Sequence, residues 1–332
     1  MPRRPSDLPA ALTSGAFTPA TARLEGVGEK RLRHRELLRP LHGVRLAATP
    51  PSELRRGESD VQRRTRELAG AAALVLPADA AFSHCTAALL HGLPLPRPRE
   101  HVEPLHVLRQ SGRNPVDRPQ VSAHRGLELR TVSMRGTVRV VSEADTWVDL
   151  ALLLGVQDLV VVGDRVARRA DSVEPLHEAL ARRGSPRGVV RLREALRWVR
   201  VGSDSGMETR SRLLFCRHGL PEPELNATLT AADGSGFLCR SDFVWREAKV
   251  IGEYQGDAHF GSFERGDDDI ARRLLAEDDD WKYVEMTRND YFNPARRMAL
   301  LRRLGRYLGV EEVANRPHPV WSGRFATPSV RC

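Results

Sequence analysis

Lysine is nearly missing from this chain. Of 52 Lys and Arg residues only Lys30, Lys249 and Lys282 are lysines, against 43 Asp and Glu, for a formal net charge of +9. A codon preference explains arginine in place of lysine, but not the surplus over acids. Guanidinium forks match phosphate, so a polyanion, and foremost nucleic acid, is the favoured partner class. Cysteine is also scarce: Cys85, Cys216, Cys239 and Cys332 are scattered with no CxxC pair. That excludes a zinc ribbon and a disulfide framework and fits a reducing, cytoplasmic setting. Uninterrupted apolar runs are missing as well. The longest, VDLALLLGVQDLVVVGDRVA, is broken by Asp149, Asp158 and Asp164, so packed elements are expected and no membrane span. The start, MPRRPSDLPAALTSGAF, has arginines but no apolar core after them, unlike a secretory signal. Aromatics amount to 5%, and all four tyrosines (Tyr254, Tyr283, Tyr291, Tyr307) fall near the C-terminus, so two halves with different cores are expected.

A length of 332 residues exceeds one typical core and favours two domains. Residues 1–20, rich in Pro, Ser and Arg, read as a disordered tail. Residues 21–200 read as a mostly helical region with a small sheet. EKRLRHRELLRPLHGV forms a short basic helix in this reading, ESDVQRRTRELAGAAALVLP and DAAFSHCTAALLHGLPLP form further helices, and HVEPLHVLR, QVSAHRG and TVRVVS form strands. His84, His91, His106 and His124 lack zinc-type spacing and read as packing or hydrogen-bonding residues. The polar VGSDSG (Val201–Gly206) marks the expected boundary. Residues 205–310 then give the order α-β-β-β-α-β-α, an α/β domain with a mixed sheet, followed by a tail at 311–332.

Within that domain the two strands of SDFVWREAKVIGEYQ carry a pair of acids. A hairpin turning at Glu247-Ala248 sets Val244 against Ile251 and Asp242 against Glu253. Opposed strand residues share a face, with Cβ atoms roughly 4.5–5.5 Å apart. Two like charges there call for a compensating cation, and oxygen donors suit Mg²⁺ or Mn²⁺. The alternative is that Asp242 pairs with Arg240 or Lys249 on a wet face. Gln255 shares the face of Glu253. Glu208 opens the preceding helix, where Ser205 and Glu208 spell a capping box; a cap and a metal-site acid are both open readings. Arg212, one turn on, suits a phosphate or an ion pair with Glu208.

Glu208 on an opening helix, SDFVW…GEYQGDAH, DDDIARRLL and WKYVEMTRNDYF together resemble the PD-(D/E)XK nuclease superfamily, and within it the very-short-patch-repair-like branch. The resemblance covers about Ser205 to Gly309. It implies a restriction-endonuclease-like fold, a Mg²⁺- or Mn²⁺-dependent hydrolase acting on DNA phosphodiesters, and Asp242 and Glu253 as metal-holding acids assisted by Glu208. Gln255 stands where the superfamily has lysine. His259 matches a histidine after the E-x-x-G turn, and Arg272 a helix position that is often basic. With Arg212 and Arg240, Arg272 would contact nucleic acid. FSHCTAALLHGLPLP, LHVLRQSGR, SAHRG and ADTWVDLA resemble the antitoxin component of type IV abortive-infection systems, which implies a regulatory or DNA-contacting front half with a winged-helix-like unit. The rival to a nuclease is therefore a non-catalytic DNA-binding regulator that keeps a nuclease fold as scaffold. DNA is the expected partner, with no membrane, and a homodimer is open.

Overall fold

Ser59, Ser142, Ser205 and Asn293 each precede a helix, and each side chain accepts a backbone N–H of the first turn. Those N–H groups have no partner inside the helix, so the caps fix where the helices begin. In the computed structural model, which describes residues 6–13, 15–47, 52–230, 237–256 and 280–313, the chain has an α/β fold. It divides into two compact units. The first comprises Met1–Leu150 and Glu178–Pro186, the second Ala151–His177 and Arg187–Cys332.

The first unit carries strands β1 (Ala16–Phe17), β2 (Leu37–Leu38) and β3 (Arg45–Ala47) in a small antiparallel sheet of order β1-β3-β2. Helices α1 (Pro19–Leu24) and α2 (Glu29–Leu32) accompany it. A mixed sheet of order β6-β5-β4-β8-β7 follows, built from β4 (Ala81–Phe82), β5 (Leu105–Arg109), β6 (Val121–Arg125), β7 (Val132–Arg135) and β8 (Val138–Val141). Helices α3 (Asp60–Ala73), α4 (His84–His91) and α5 (Glu143–Asp149) also belong to this unit. Their small faces, Ala69, Ala72 and Ala87, pack against Phe82, Val107 and Val140.

Three expectations are corrected here. Residues before 20 are not all a loose tail: Leu12 and Phe17 are buried with Ala22, Val27, Leu32 and Leu37. The basic stretch after Glu29 makes only one helical turn before β2. The helix ends at Leu32 because a single turn gains too few hydrogen bonds to propagate. Strand β7 escaped the pattern because Ser133, Met134 and Arg135 are exposed on an edge and leave no alternation to read.

The second unit contains α6 (Val156–Ala170), α8 (Val189–Trp198) and α9 (Gly206–Arg217), while α7 (Glu174–Arg183) runs from this unit into the first. Its sheet, order β12-β11-β10-β9, uses β9 (Glu224–Thr230), β10 (Phe237–Trp245), β11 (Val250–Gln255) and β12 (Lys282–Thr287). β11 and β12 run parallel and the other neighbours antiparallel. Helices α10 (Arg288–Phe292) and α11 (Pro294–Tyr307) close the unit. One sheet face buries Phe243, Trp245, Val250 and Val284 against Phe215 of α9 and Leu301 and Leu304 of α11. The other buries Val244 and Ile251 with Leu229 and Cys239. The boundary therefore falls near Leu150 and not at VGSDSG. Asp164 of α6 bonds Thr209 and Arg212 of α9, so the helices before VGSDSG are built into the same unit as the sheet.

Gly252 fixes how closely β10 and β11 approach. A Cβ there would meet Phe243 Cβ at 3.2 Å and Phe243 Cδ2 at 3.3 Å. Gly252→Ala is expected to cost about 1–3 kcal/mol by overpacking, read as a lower urea midpoint with an unchanged slope.

Candidate functional site

Strands β10 and β11 are joined through Arg246–Lys249, where the Lys249 N–H donates to Arg246 O at 3.2 Å. The pairs Trp245↔Val250, Val244↔Ile251 and Phe243↔Gly252 follow. The pairing ends there, one step short of Asp242 and Glu253, the pair that the sequence had suggested. There the two strands open. The Tyr254 N–H donates to Asp242 Oδ2 at 2.8 Å, so a side-chain oxygen takes a bond that a continuing ladder would give to backbone.

The other neighbour of β10 is irregular at the same level. Asn226 lies between the pairs Leu225↔Phe243 and Ala227↔Ser241 and has φ +48°, a left-handed conformation that asparagine tolerates better than most residues. Alternation is interrupted here, which is why Cys239 packs with Val244 and Ile251 instead of sharing the face of Phe243 and Trp245. The Asn226 Nδ2 donates to Gly202 O and to Glu208 Oε2, each at 2.8 Å.

Glu208 is buried in the first turn of α9. Its N–H donates to Ser205 Oγ at 3.1 Å, and its Oε2 accepts the Asp204 N–H at 2.8 Å. Half of the expected capping box is present, while the glutamate reaches one residue further back than the box requires. The backbone cap and the Asn226 amide hold this carboxylate in place.

Electrostatics tie these acids together. The Asp242 carboxyl is pushed up to about 6, first by burial and next by the negative charge of Glu208; Asp204 adds to the effect, while the Tyr254 N–H and Arg240 oppose it. Glu208→Gln removes the second cause, so the Asp242 carboxyl is expected to titrate lower in that variant. Carboxyl ¹³C chemical shifts followed against pH measure this, and an unmoved midpoint would mean that the two acids do not sense one another.

Glu253 and Gln255 are half-buried on β11, opposite Glu285 and Thr287 of β12. Among the described residues Glu208, Asp242 and Glu253 do not bring three oxygens within 4.8 Å of one another. They form no closed cage. Mg²⁺ needs none, since it keeps several waters and takes one or two carboxylates together with substrate phosphate. Carboxylate oxygens such as those of Asp242 and Glu253 are the donor type that a hard cation takes.

The basic residues divide. Arg240 remains half-exposed; its guanidinium bonds Asp204 Oδ2 at 2.8 Å and Asn226 O at 3.2 Å. Arg212 is corrected: it is fully buried, and its guanidinium donates to Trp198 O at 2.7 Å, Glu222 Oε1 at 2.7 Å and Asp164 Oδ2 at 3.0 Å. It holds the unit together from inside and has no surface to offer a phosphate. The expected Arg212–Glu208 pair is replaced by these three partners. His259 and Arg272 lie outside the described residues, as does the helix expected over DDDIARRLL. Sequence reasoning missed Asn226 and Asp204. The available signal for Asn226 was a lone amide inside the strand pattern ELNATL.

No family model matches the chain, and no solved structure matches it. Two proteins of Mycobacterium tuberculosis are similar to part of it: "Uncharacterized protein Rv2248" of strain H37Rv and "Uncharacterized protein MT2308" of strain CDC 1551. Each is 34% identical over 80 residues, which is 24% of this chain and 29% of the relative. The chain thus matches under a third of the length of these relatives.

Proposed function

We propose that the second unit is a metal-dependent endonuclease domain that hydrolyses DNA phosphodiesters. The observation carrying this reading is the end of the β10–β11 pairing, where Asp242 is held by the Tyr254 N–H and its carboxyl is raised by burial and by buried Glu208. Asp242 and Glu253 would hold Mg²⁺ or Mn²⁺. When bound, the cation supplies charge neutralisation at the scissile phosphate and a lowered pKa for water. Asn226 and the Asp204 N–H fix Glu208 so that its charge bears on Asp242. Gln255, on the face of Glu253, orients water through its amide, and Arg240 lies at the rim where it can exchange Asp204 for a phosphate. Neutral glutamine positions a nucleophile but does not neutralise developing charge as lysine would, so slow turnover is expected.

Plasmid nicking in Mg²⁺ or Mn²⁺ tests the proposal. Glu253→Ala is expected to lower the rate at least a hundredfold with an unchanged circular dichroism spectrum. Equal cleavage by the wild type and this variant would remove the assignment. The rival reading, a DNA-binding regulator without cleavage, draws on the first unit, where Lys30, Arg33 and Arg35 line one hollow together with Glu29 and His34. DNA retention with no metal uptake by the acids would favour it.

A further inference from the structure

Three imidazoles meet in the first unit. His106 lies on β5 and His124 on β6; His124 is in register with Leu108, two residues beyond His106, so both histidines belong to one face of the paired strands. His84 begins α4 with φ +48°, a conformation non-glycine residues seldom adopt. The rings stack, with centroids 3.9 Å apart for His84 and His124, 5.2 Å for His106 and His124, and 5.4 Å for His84 and His106. Residues 22 and 18 apart in sequence, with no motif spacing, are thus brought to one point by the β4-β5-β6 arrangement.

Their nitrogens converge as well. One ligand atom from each ring lies within 4.8 Å of the other two, and among the described residues no other group of three His, Cys, Asp or Glu does this. His106 Nδ1 and His124 Nε2 are 2.9 Å apart. Two imidazole nitrogens on a tetrahedral zinc, each at about 2.0–2.1 Å, stand roughly 3.3 Å apart, so a small ring movement admits an ion. His84 Nδ1 is 2.9 Å from Ser83 Oγ, an orientation that leaves Nε2 for a ligand. His106 is almost wholly buried, and its Nε2 is buried with no hydrogen-bond partner.

We propose that His84, His106 and His124 form a binding site for one divalent cation of the zinc class, with the remaining coordination open to water or an incoming donor. Three nitrogen donors select zinc, cobalt or copper over magnesium, so this site differs in chemistry from the acids of the second unit. Burial is the main cause that lowers the basicity of all three rings, and His106 falls to about 3. Neutral imidazole is the form that ligates.

The test uses the untagged full-length protein, stripped with chelator and titrated with Co²⁺ at about pH 7.5. One equivalent is expected to bind with the visible absorption of tetrahedral nitrogen-coordinated cobalt, and Zn²⁺ is expected to displace it. His124→Asn and His84→Asn should each weaken the binding read by this absorption at least tenfold. Should the histidine variants fail to fold, ¹⁵N spectra of the wild-type imidazoles decide: Zn²⁺ must shift His84, His106 and His124 and spare His91 and His218. Absence of Co²⁺ and Zn²⁺ uptake by the wild type, undiminished uptake by folded His124→Asn, or shifts confined to other histidines would each overturn the proposal.

Discussion

Asp242→Asn is expected to abolish Mg²⁺-dependent DNA cleavage and, in the same protein, to raise thermal stability at neutral pH. Both effects come from one placement. The carboxyl is partly buried near Glu208 and Asp204, which lifts its titration from 3.8 to about 6. A raised folded-state value means that the folded chain holds the proton more tightly than the unfolded chain. The associated stability is fully present below about pH 4 and is lost as the pH rises through about 6. At 1.36 kcal/mol per unit, the charged carboxylate costs the metal-free protein on the order of 3 kcal/mol above pH 7. Asparagine keeps an acceptor for the Tyr254 N–H and carries no charge, so melting in chelator should rise by several degrees at about pH 7.5, and the gain should vanish near pH 4. Cleavage should fall below detection. A variant that melts below the wild type at neutral pH would show that Asp242 is not under the strain described. Saturating Mg²⁺ should narrow the gap by stabilising only the wild type.

Arg212→Met is expected to destabilise the second unit by about 3–5 kcal/mol, because removing one member of a buried ion pair leaves the other charged and unmatched. Asp164 is the residue left behind. It also accepts the Arg200 N–H at 2.8 Å and the Thr209 hydroxyl at 2.8 Å, yet burial still pushes its carboxyl upward. Trp198 O would lose its donor in the same variant. Combining Arg212→Met with Asp164→Asn should recover much of the loss, since amide and thioether need no counter-charge. Urea denaturation of the two single variants and the double variant measures the coupling; simple additivity would show that the two side chains do not act as a pair. A salt series on DNA binding separates this from a phosphate contact, because a buried arginine leaves the slope of affinity against salt unchanged.

The second unit was more legible than the first for a physical reason. Phe243, Trp245 and Val250 fill one sheet face and Val244 and Ile251 the other, so a one-residue slip would exchange the contents of two cores. The expected Asp242–Glu253 pairing lies one step beyond the last pair of the β10–β11 register, Phe243↔Gly252. Burial of individual charges was not legible. Arg212 looked like a surface arginine because nothing local announces Asp164, 48 residues earlier, as its partner. The histidines were passed over for the same reason: 84, 106 and 124 show no ligand spacing along the chain, and only pairing of β5 with β6 beside the start of α4 gathers them. Glu208 was placed in the right helix, but the amide that holds it comes from Asn226, a residue that a strand pattern treats as filler.

The first unit is assembled from two stretches of chain, and the later one matters during synthesis. Buried Asp145 and Asp149 bond Arg182 and Arg183 at 2.9 Å each, and those arginines arrive only after α6 has been made. A nascent chain paused at Leu150 holds both acids with only part of their counter-charge, Arg130 on Asp149. Translation must carry the ribosome beyond Pro186, and past the residues its tunnel conceals, before this half can reach its final stability. A protein shortened at the end of α5 should accordingly emerge as a chaperone client and not as a free-standing domain.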